Sequence, residues 1–171
     1  KLNPQLHGGK QQFSVRAGTL PVPLIIALAE SIKLATEQQE AAQNIIRNLQ
    51  KYLLDGLKEL EIPILINSPL NDHQSPAIVN FSFPPVEGEV MLHHLEEEEI
   101  YVGMGSACSA HSKEPSKILI GIGLTDEQAR CSLRVSFSRH NTINEVEKFL
   151  NAFKEAYRKL LPTFIKRQID R

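Results

Sequence analysis

The stretch TDEQARCSLRVSFSRHNTINEVEKFL, residues 125–150, decides the fold. It opens with Thr125-x-x-Gln128, the spacing at which a hydroxyl and an amide side chain satisfy each other's backbone N–H groups at a helix start. Ser132-Leu133-Arg134-Val135-Ser136-Phe137 then alternates polar and apolar residues, the two-residue period of a strand with one buried face. Thr142-x-x-Glu145 repeats the capping pattern and opens a long C-terminal helix, with Val146, Phe149, Phe153 and Leu160 at helical spacing. A strand between two capped helices implies an α/β or α+β layer domain, a short sheet packed with helices.

Working upstream, the spacing predicts a helix over residues 115–122 and a short strand at Ile100-Tyr101-Val102. A helix over residues 87–97 would bury Val90, Met91 and Leu95. Residues 77–83 read as a strand ending at Pro84-Pro85, and Ile64-Leu65-Ile66 as another ending in the loop Asn67-Ser68-Pro69. From Leu24 to Leu60 the apolar residues keep helical spacing. Thr36-x-x-Gln39 resembles a capping box partway, so two consecutive helices are expected and Pro63 stops the second. Residues 1–23, with His7-Gly8-Gly9, Arg16-Ala17-Gly18-Thr19, Pro21 and Pro23, show no apolar period and read as a functional loop or linker. The chain begins at Lys1 with no charged-then-apolar leader pattern, which suggests a cut or processed end.

The 171 residues are 42% hydrophobic and 23% charged with a formal net charge of −1, the profile of an ordinary water-soluble domain. A chain of this length buries roughly 70% of its unfolded surface, so a core needs no disulfide staples. The two cysteines, Cys108 and Cys131, form no CxxC pair and no cluster with histidine at zinc spacing, so no metal is expected and a reducing cytoplasm fits. Near-neutral charge gives no reason to expect nucleic acid. The apolar runs fall short of the roughly 20 residues a membrane span needs.

Cys108 lies in Gly103-Met104-Gly105-Ser106-Ala107-Cys108-Ser109-Ala110-His111-Ser112, a run mainly of small residues. A free cysteine is normally packed in a core. This setting instead offers exposure and reach, which a thiolate nucleophile requires; the plain alternative is an ordinary surface thiol. His111 is the one histidine near it in sequence. Cys131, beside a strand, reads as core. Arg134 emerges on the strand face opposite Leu133 and Val135, together with Ser132 and Ser136. A guanidinium fork on a rigid strand suits bidentate capture of a carboxylate, though a solvated or ion-paired strand arginine has the same pattern. Arg139 is similarly ambiguous. Arg16, Gly18 and Thr19 together would make an anion cradle, a weak motif by itself. Glu96 to Glu99 reads as a solvated helix end. His93 and His94 project about 100° apart on a helix and cannot readily clasp one ion.

Four ordered segments, HGGKQQFSVRAGTLPV at residues 7–22, VEGEV at 86–90, GSACSAHSKEPSKIL at 105–119 and LRVSFSRHNTINEVE at 133–147, resemble the cysteine desulfurases. These are class V aminotransferase-type enzymes of pyridoxal-phosphate (PLP) fold type I. The length of the GSAC-containing loop is similar to the family branch with a long catalytic loop, typified by the housekeeping and nitrogen-fixation-linked enzymes.

The resemblance implies that residues 1–23 end a large PLP domain and that residues 24–171 form the small C-terminal domain, with long N- and C-terminal helices and a catalytic loop at 103–114. It implies conversion of L-cysteine to L-alanine, PLP serving as electron sink and Cys108 as the thiolate that receives the sulfur as a persulfide. Arg134 matches the arginine that binds the substrate carboxylate, and Thr19 the threonine that reaches the PLP phosphate of the neighbouring subunit; Arg16 and Gly18 flank it. The implied partners are a second copy in a homodimer and a sulfur acceptor or iron–sulfur scaffold protein.

The sequence departs from the family's pattern in several places. No His-Lys pair of the kind that carries the cofactor occurs here, so the chain alone is expected to be inert. Lys10-Gln11-Gln12 stands where Gly-His-Glu is frequent, Ala17 where Ser is, and Ser138 where Gly is. The competing readings are a stand-alone sulfur-carrier or interaction module and a selenocysteine lyase-type PLP enzyme.

Overall fold

The computed structural model describes residues 2–71, 74–104 and 115–169, with side chains to residue 166. The chain divides into two compact units, residues 1–40 and 41–171.

The first unit holds a loop and a helix. Gln12, Phe13 and Ser14 turn left-handedly at φ 51°, 59° and 61°, leaving Phe13 wholly exposed. Helix α1 (Val22–Glu37) follows with Pro23 in its first turn, where a missing N–H costs nothing. Its apolar residues, Leu24, Ile26, Leu28 and Ile32 among them, are exposed. The helix breaks at Gln38, as the two-helix expectation required, but not through the expected capping box. The Thr36 hydroxyl donates back to the carbonyl of Ile32 at 2.9 Å, so it is spent inside α1.

The second unit contains the core. Helix α2 (Gln39–Glu59) runs into it and buries Leu49, Leu53 and Leu57. Three antiparallel strands follow in the order β1 (Leu65–Ile66), β2 (Ile78–Ser82) and β3 (Ser132–Ser136). Register pairs Val79 with Val135 and Phe81 with Leu133, which places all four on one face. Against that face lie α3 (Gly88–Glu97), with Met91 and Leu95 fully buried, and α6 (Ile143–Ile169). Phe153 of α6 meets Phe81 and Phe83 edge-on at 5.6 and 5.0 Å between ring centres. Each such pair adds about 0.5–1.5 kcal/mol to the burial of its rings. The Tyr157 hydroxyl donates to Pro84 O at 3.0 Å, anchoring the same helix to the turn after β2.

Both boxes in the deciding stretch form. Thr125 and Gln128 exchange hydrogen bonds of 2.9 and 3.2 Å at the start of α5 (Asp126–Arg130). Thr142 N–H donates to Glu145 at 2.6 Å while Glu145 N–H donates to the Thr142 hydroxyl at 3.4 Å. A shorter helix than expected, α4 (Lys117–Gly121), precedes α5.

The strand expected at Ile100-Tyr101-Val102 is absent. Those residues leave a tight helix stop: Glu99 sits at φ 57°, its N–H donates to Glu96 O at 3.0 Å, and Ile100 N–H reaches Leu95 O at 2.9 Å. This is the Schellman pattern, and it takes the Ile100 N–H that a strand would have used. Lys148 adds a donor to Glu98 O at 2.7 Å. Pairing with the sheet begins only at Gly103, as a single bridge to Arg134.

Candidate active site

The polar face of the sheet is built by the same alternation that builds the core. Asn80 pairs with Arg134 and Ser82 with Ser132, all opposite the apolar face. One end of this face is closed. The hydroxyls of Ser82 and Ser132 donate at 2.8 and 2.9 Å to the carbonyls of Gln128 and Ala129, in the last turn of α5, where helical partners run out. The other end stays accessible: Arg134 and Asn80 are half-buried and Ser136 is exposed.

Arg134 therefore stands where closed and open surface meet. Its backbone N–H and carbonyl both bond Gly103, at 2.7 and 2.9 Å. On the far side, the Asn80 carbonyl accepts from Asn67 and Ser68 N–H, and Asn80 N–H donates to the Ser68 hydroxyl at 2.8 Å. Neither residue spends its backbone on the other, so they form a non-hydrogen-bonded pair, the kind with the closer side chains. The Asn80 side chain is itself fixed, its Oδ1 accepting from Asn67 Nδ2 at 2.7 Å. The same Asn67 amide reaches the Ser82 hydroxyl at 2.8 Å.

Gly103 and Met104 are the last described residues before the segment that carries Cys108, and Cys108 and His111 lie outside the described residues. Cys131 is 3% exposed beside Leu133, and burial pushes its thiol up to about 12, so it is inert at neutral pH.

The loop of the first unit folds on itself. Gly18 adopts φ 104°, its N–H donates to Gln11 Oε1 at 3.3 Å, and Arg16 Nη1 donates to the carbonyls of Gly18 and Thr19 at 3.2 and 3.3 Å. Thr19 is exposed. The Gly18 N–H and one Arg16 nitrogen are thus committed within the loop, with the exposed Thr19 beside them. The pyridine ring and the covalent attachment of PLP call for other residues.

His93 Nδ1 lies 2.9 Å from Glu96, and His94 Nδ1 lies 3.2 Å from Val90 O, so the two rings point to different partners. Among the described residues no group of three or more His, Cys, Asp or Glu is placed to hold a metal ion. Among them, too, no helix is long and apolar enough to cross a membrane.

Sequence reasoning missed Asn67, Asn80 and Gly103. Asn80 carried a signal, being polar between Val79 and Phe81, but its nearness to Arg134 depends on the register of two strands over fifty residues apart in the chain.

Residues 4–149 match the class-V aminotransferases. The chain belongs to that family. Cysteine desulfurase IscS of Klebsiella pneumoniae (strain 342) is 35% identical over 160 residues, which cover 94% of this chain and 39% of that protein. A NifS-like protein from Rickettsia africae superposes with a TM-score of 0.72 at 28% identity, over 92% of this chain and 40% of the other. A second NifS-like structure gives 0.71 at 29% identity, over 89% and 38%. The chain thus spans about two fifths of the length of the relatives it matches. Its antiparallel sheet packed with helices corresponds to part of a PLP fold type I enzyme.

Proposed function

We propose that this chain is the C-terminal part of a cysteine desulfurase that converts L-cysteine to L-alanine and receives the sulfur on Cys108. One observation carries the reading furthest: Arg134, matched to the carboxylate-binding arginine, is bridged by its backbone to Gly103, five residues before Cys108. The strand that carries Arg134 is thus bonded to the residue from which the chain continues towards Cys108.

In this reading Arg134 takes the substrate α-carboxylate in a bidentate pair and fixes the substrate's orientation. The Cys108 thiolate attacks the substrate's sulfur. A sulfur–sulfur bond forms, the substrate's carbon–sulfur bond breaks, and its electron pair stays on carbon, where a proton completes alanine. PLP, when bound, supplies the electron sink for that pair. Thr19, with Gly18 and Arg16 alongside, would hold the cofactor phosphate of a neighbouring subunit, which makes a homodimer the working assembly. Residues 1–23 would close the large PLP domain and residues 24–171 form the small domain. The persulfide is then passed to a sulfur acceptor or iron–sulfur scaffold protein, in a reducing compartment such as the cytoplasm.

No His-Lys pair is present to hold PLP, so the 171-residue chain alone is inert in this reading. Incubating it with PLP and L-cysteine is expected to give no sulfide above a no-protein control, whereas the full-length protein turns over. Catalytic sulfide release by the 171-residue chain would contradict this. Faster turnover of selenocysteine than cysteine by the full-length protein would move the reading to a selenocysteine lyase.

A further inference from the structure

Gly103 has no side chain at a point where one would crowd Arg134. A Cβ built there would lie 3.0 Å from Arg134 Nη2 and 3.4 Å from both Cζ and Nε. Ordinary carbon contacts settle at about 3.5–4.0 Å, so the guanidinium would have to give way. The backbone does not demand a glycine here, since Gly8, Gly18 and Gly123 are the described glycines with positive φ and Gly103 is not among them. What the missing Cβ permits is close approach of the guanidinium to the chain leading to Cys108.

The opposite wall is equally fixed. Asn80 faces Arg134 across the non-hydrogen-bonded pair, and Asn67 and Ser68 hold Asn80 by side chain and backbone. The guanidinium itself lies against the bare Cα of Gly103, on a strand whose cross-strand neighbour Asn80 is held in place.

We infer that Gly103 is a positioning residue: its bare Cα sets where the Arg134 guanidinium lies, and so where the substrate carboxylate is gripped. This rests on the reading of Arg134 as the carboxylate-binding residue. Gly103→Ala leaves the backbone unstrained and moves a flexible side chain by a few tenths of an ångström, so it tests position with little cost to folding.

Two measurements decide it. In the full-length protein, Gly103→Ala is expected to raise KM for L-cysteine roughly tenfold while kcat changes less than about threefold, because a misplaced carboxylate partner weakens ground-state binding first. In the 171-residue chain, the nitrogen–proton resonance of Arg134 Nε, assigned by its loss in Arg134→Lys, is expected to shift in Gly103→Ala. The backbone amide signals of Val79, Phe81 and Leu133 should stay in place. An unmoved Arg134 resonance with unchanged KM would overturn the inference, and so would collapse of the core amide signals, which would make Gly103 a structural residue. If the unsubstituted full-length protein fails to turn over cysteine, the desulfurase reading falls, while the Arg134 resonance still decides the positioning.

Discussion

Gly88, the first residue of α3, lies directly against the carbonyl oxygen of Ser132 in β3. The Arg130 carbonyl is also within 3.1 Å of where a Cβ would sit. This contact seats the helix on the strand that carries Arg134, and only a residue without a side chain allows it. Both obstacles are backbone atoms, which cannot swing aside. Gly88→Ala should therefore destabilise the fold by about 1–3 kcal/mol, despite alanine's better helix propensity. Denaturant unfolding of the two forms measures this, and an unchanged or raised midpoint would mean that α3 is seated less tightly.

Glu99 holds the left-handed position of the α3 stop, where glycine is the usual occupant, and follows Glu96, Glu97 and Glu98 at the negative end of the helix. Glu99→Gly removes both the strained φ and one unfavourable charge. Against them stands the greater freedom of glycine in the unfolded chain, which leaves a net stabilisation of about 1 kcal/mol. Thermal or denaturant midpoints would show it as a rise.

The sequence made the two helix starts and the strand of residues 125–150 legible because capping boxes and alternation are local, and both boxes form. It failed at Ile100-Tyr101-Val102, where β-rich composition gave way to the helix stop at Glu99, whose turn Lys148 and Leu95 bond. It failed also at Thr36, whose hydroxyl had an equally local alternative in Ile32 O. The outward face of Arg134 was readable from alternation alone. Its neighbours Asn80, Asn67 and Gly103 were not, because strand register and the bridge are long-range facts.

Cys131 should behave as a core residue. Its folded thiol is raised to about 12, above its ordinary value of 9.0, chiefly by burial. The unfolded chain then loses its proton first as pH rises, so the stability this group contributes is intact below about pH 9 and is lost as pH climbs toward 12. In a Cys108→Ala chain, a thiol reagent at neutral pH is expected to react slowly until denaturant is added. Rapid labelling of the native form would contradict the packing described here.

Glu145 shows the opposite sign. Hydrogen bonds from the Thr142 backbone and hydroxyl hold its carboxyl below the usual value of 4.5. Its contribution to the α6 cap is present above that value and disappears as pH falls through the lowered one. Glu145→Gln should flatten the acid limb of the stability profile; an acid limb identical to that of the unsubstituted chain would show that the cap contributes nothing there.

Arg134→Ala in the full-length protein should weaken L-cysteine use by about 2–5 kcal/mol in kcat/KM, the cost of leaving a carboxylate without its charged partner. Loss confined to kcat, with KM unchanged, would argue that Arg134 does something other than grip the substrate.

In the proposed reaction Cys108 accepts the substrate's sulfur. The most direct test is mass spectrometry of the full-length protein after a single turnover with PLP and L-cysteine and no acceptor. The expected result is one added sulfur atom on the peptide containing Cys108, one alanine released per sulfur bound, and neither in Cys108→Ala. Sulfur found on Cys131, or alanine released with Cys108 unmodified, would contradict it.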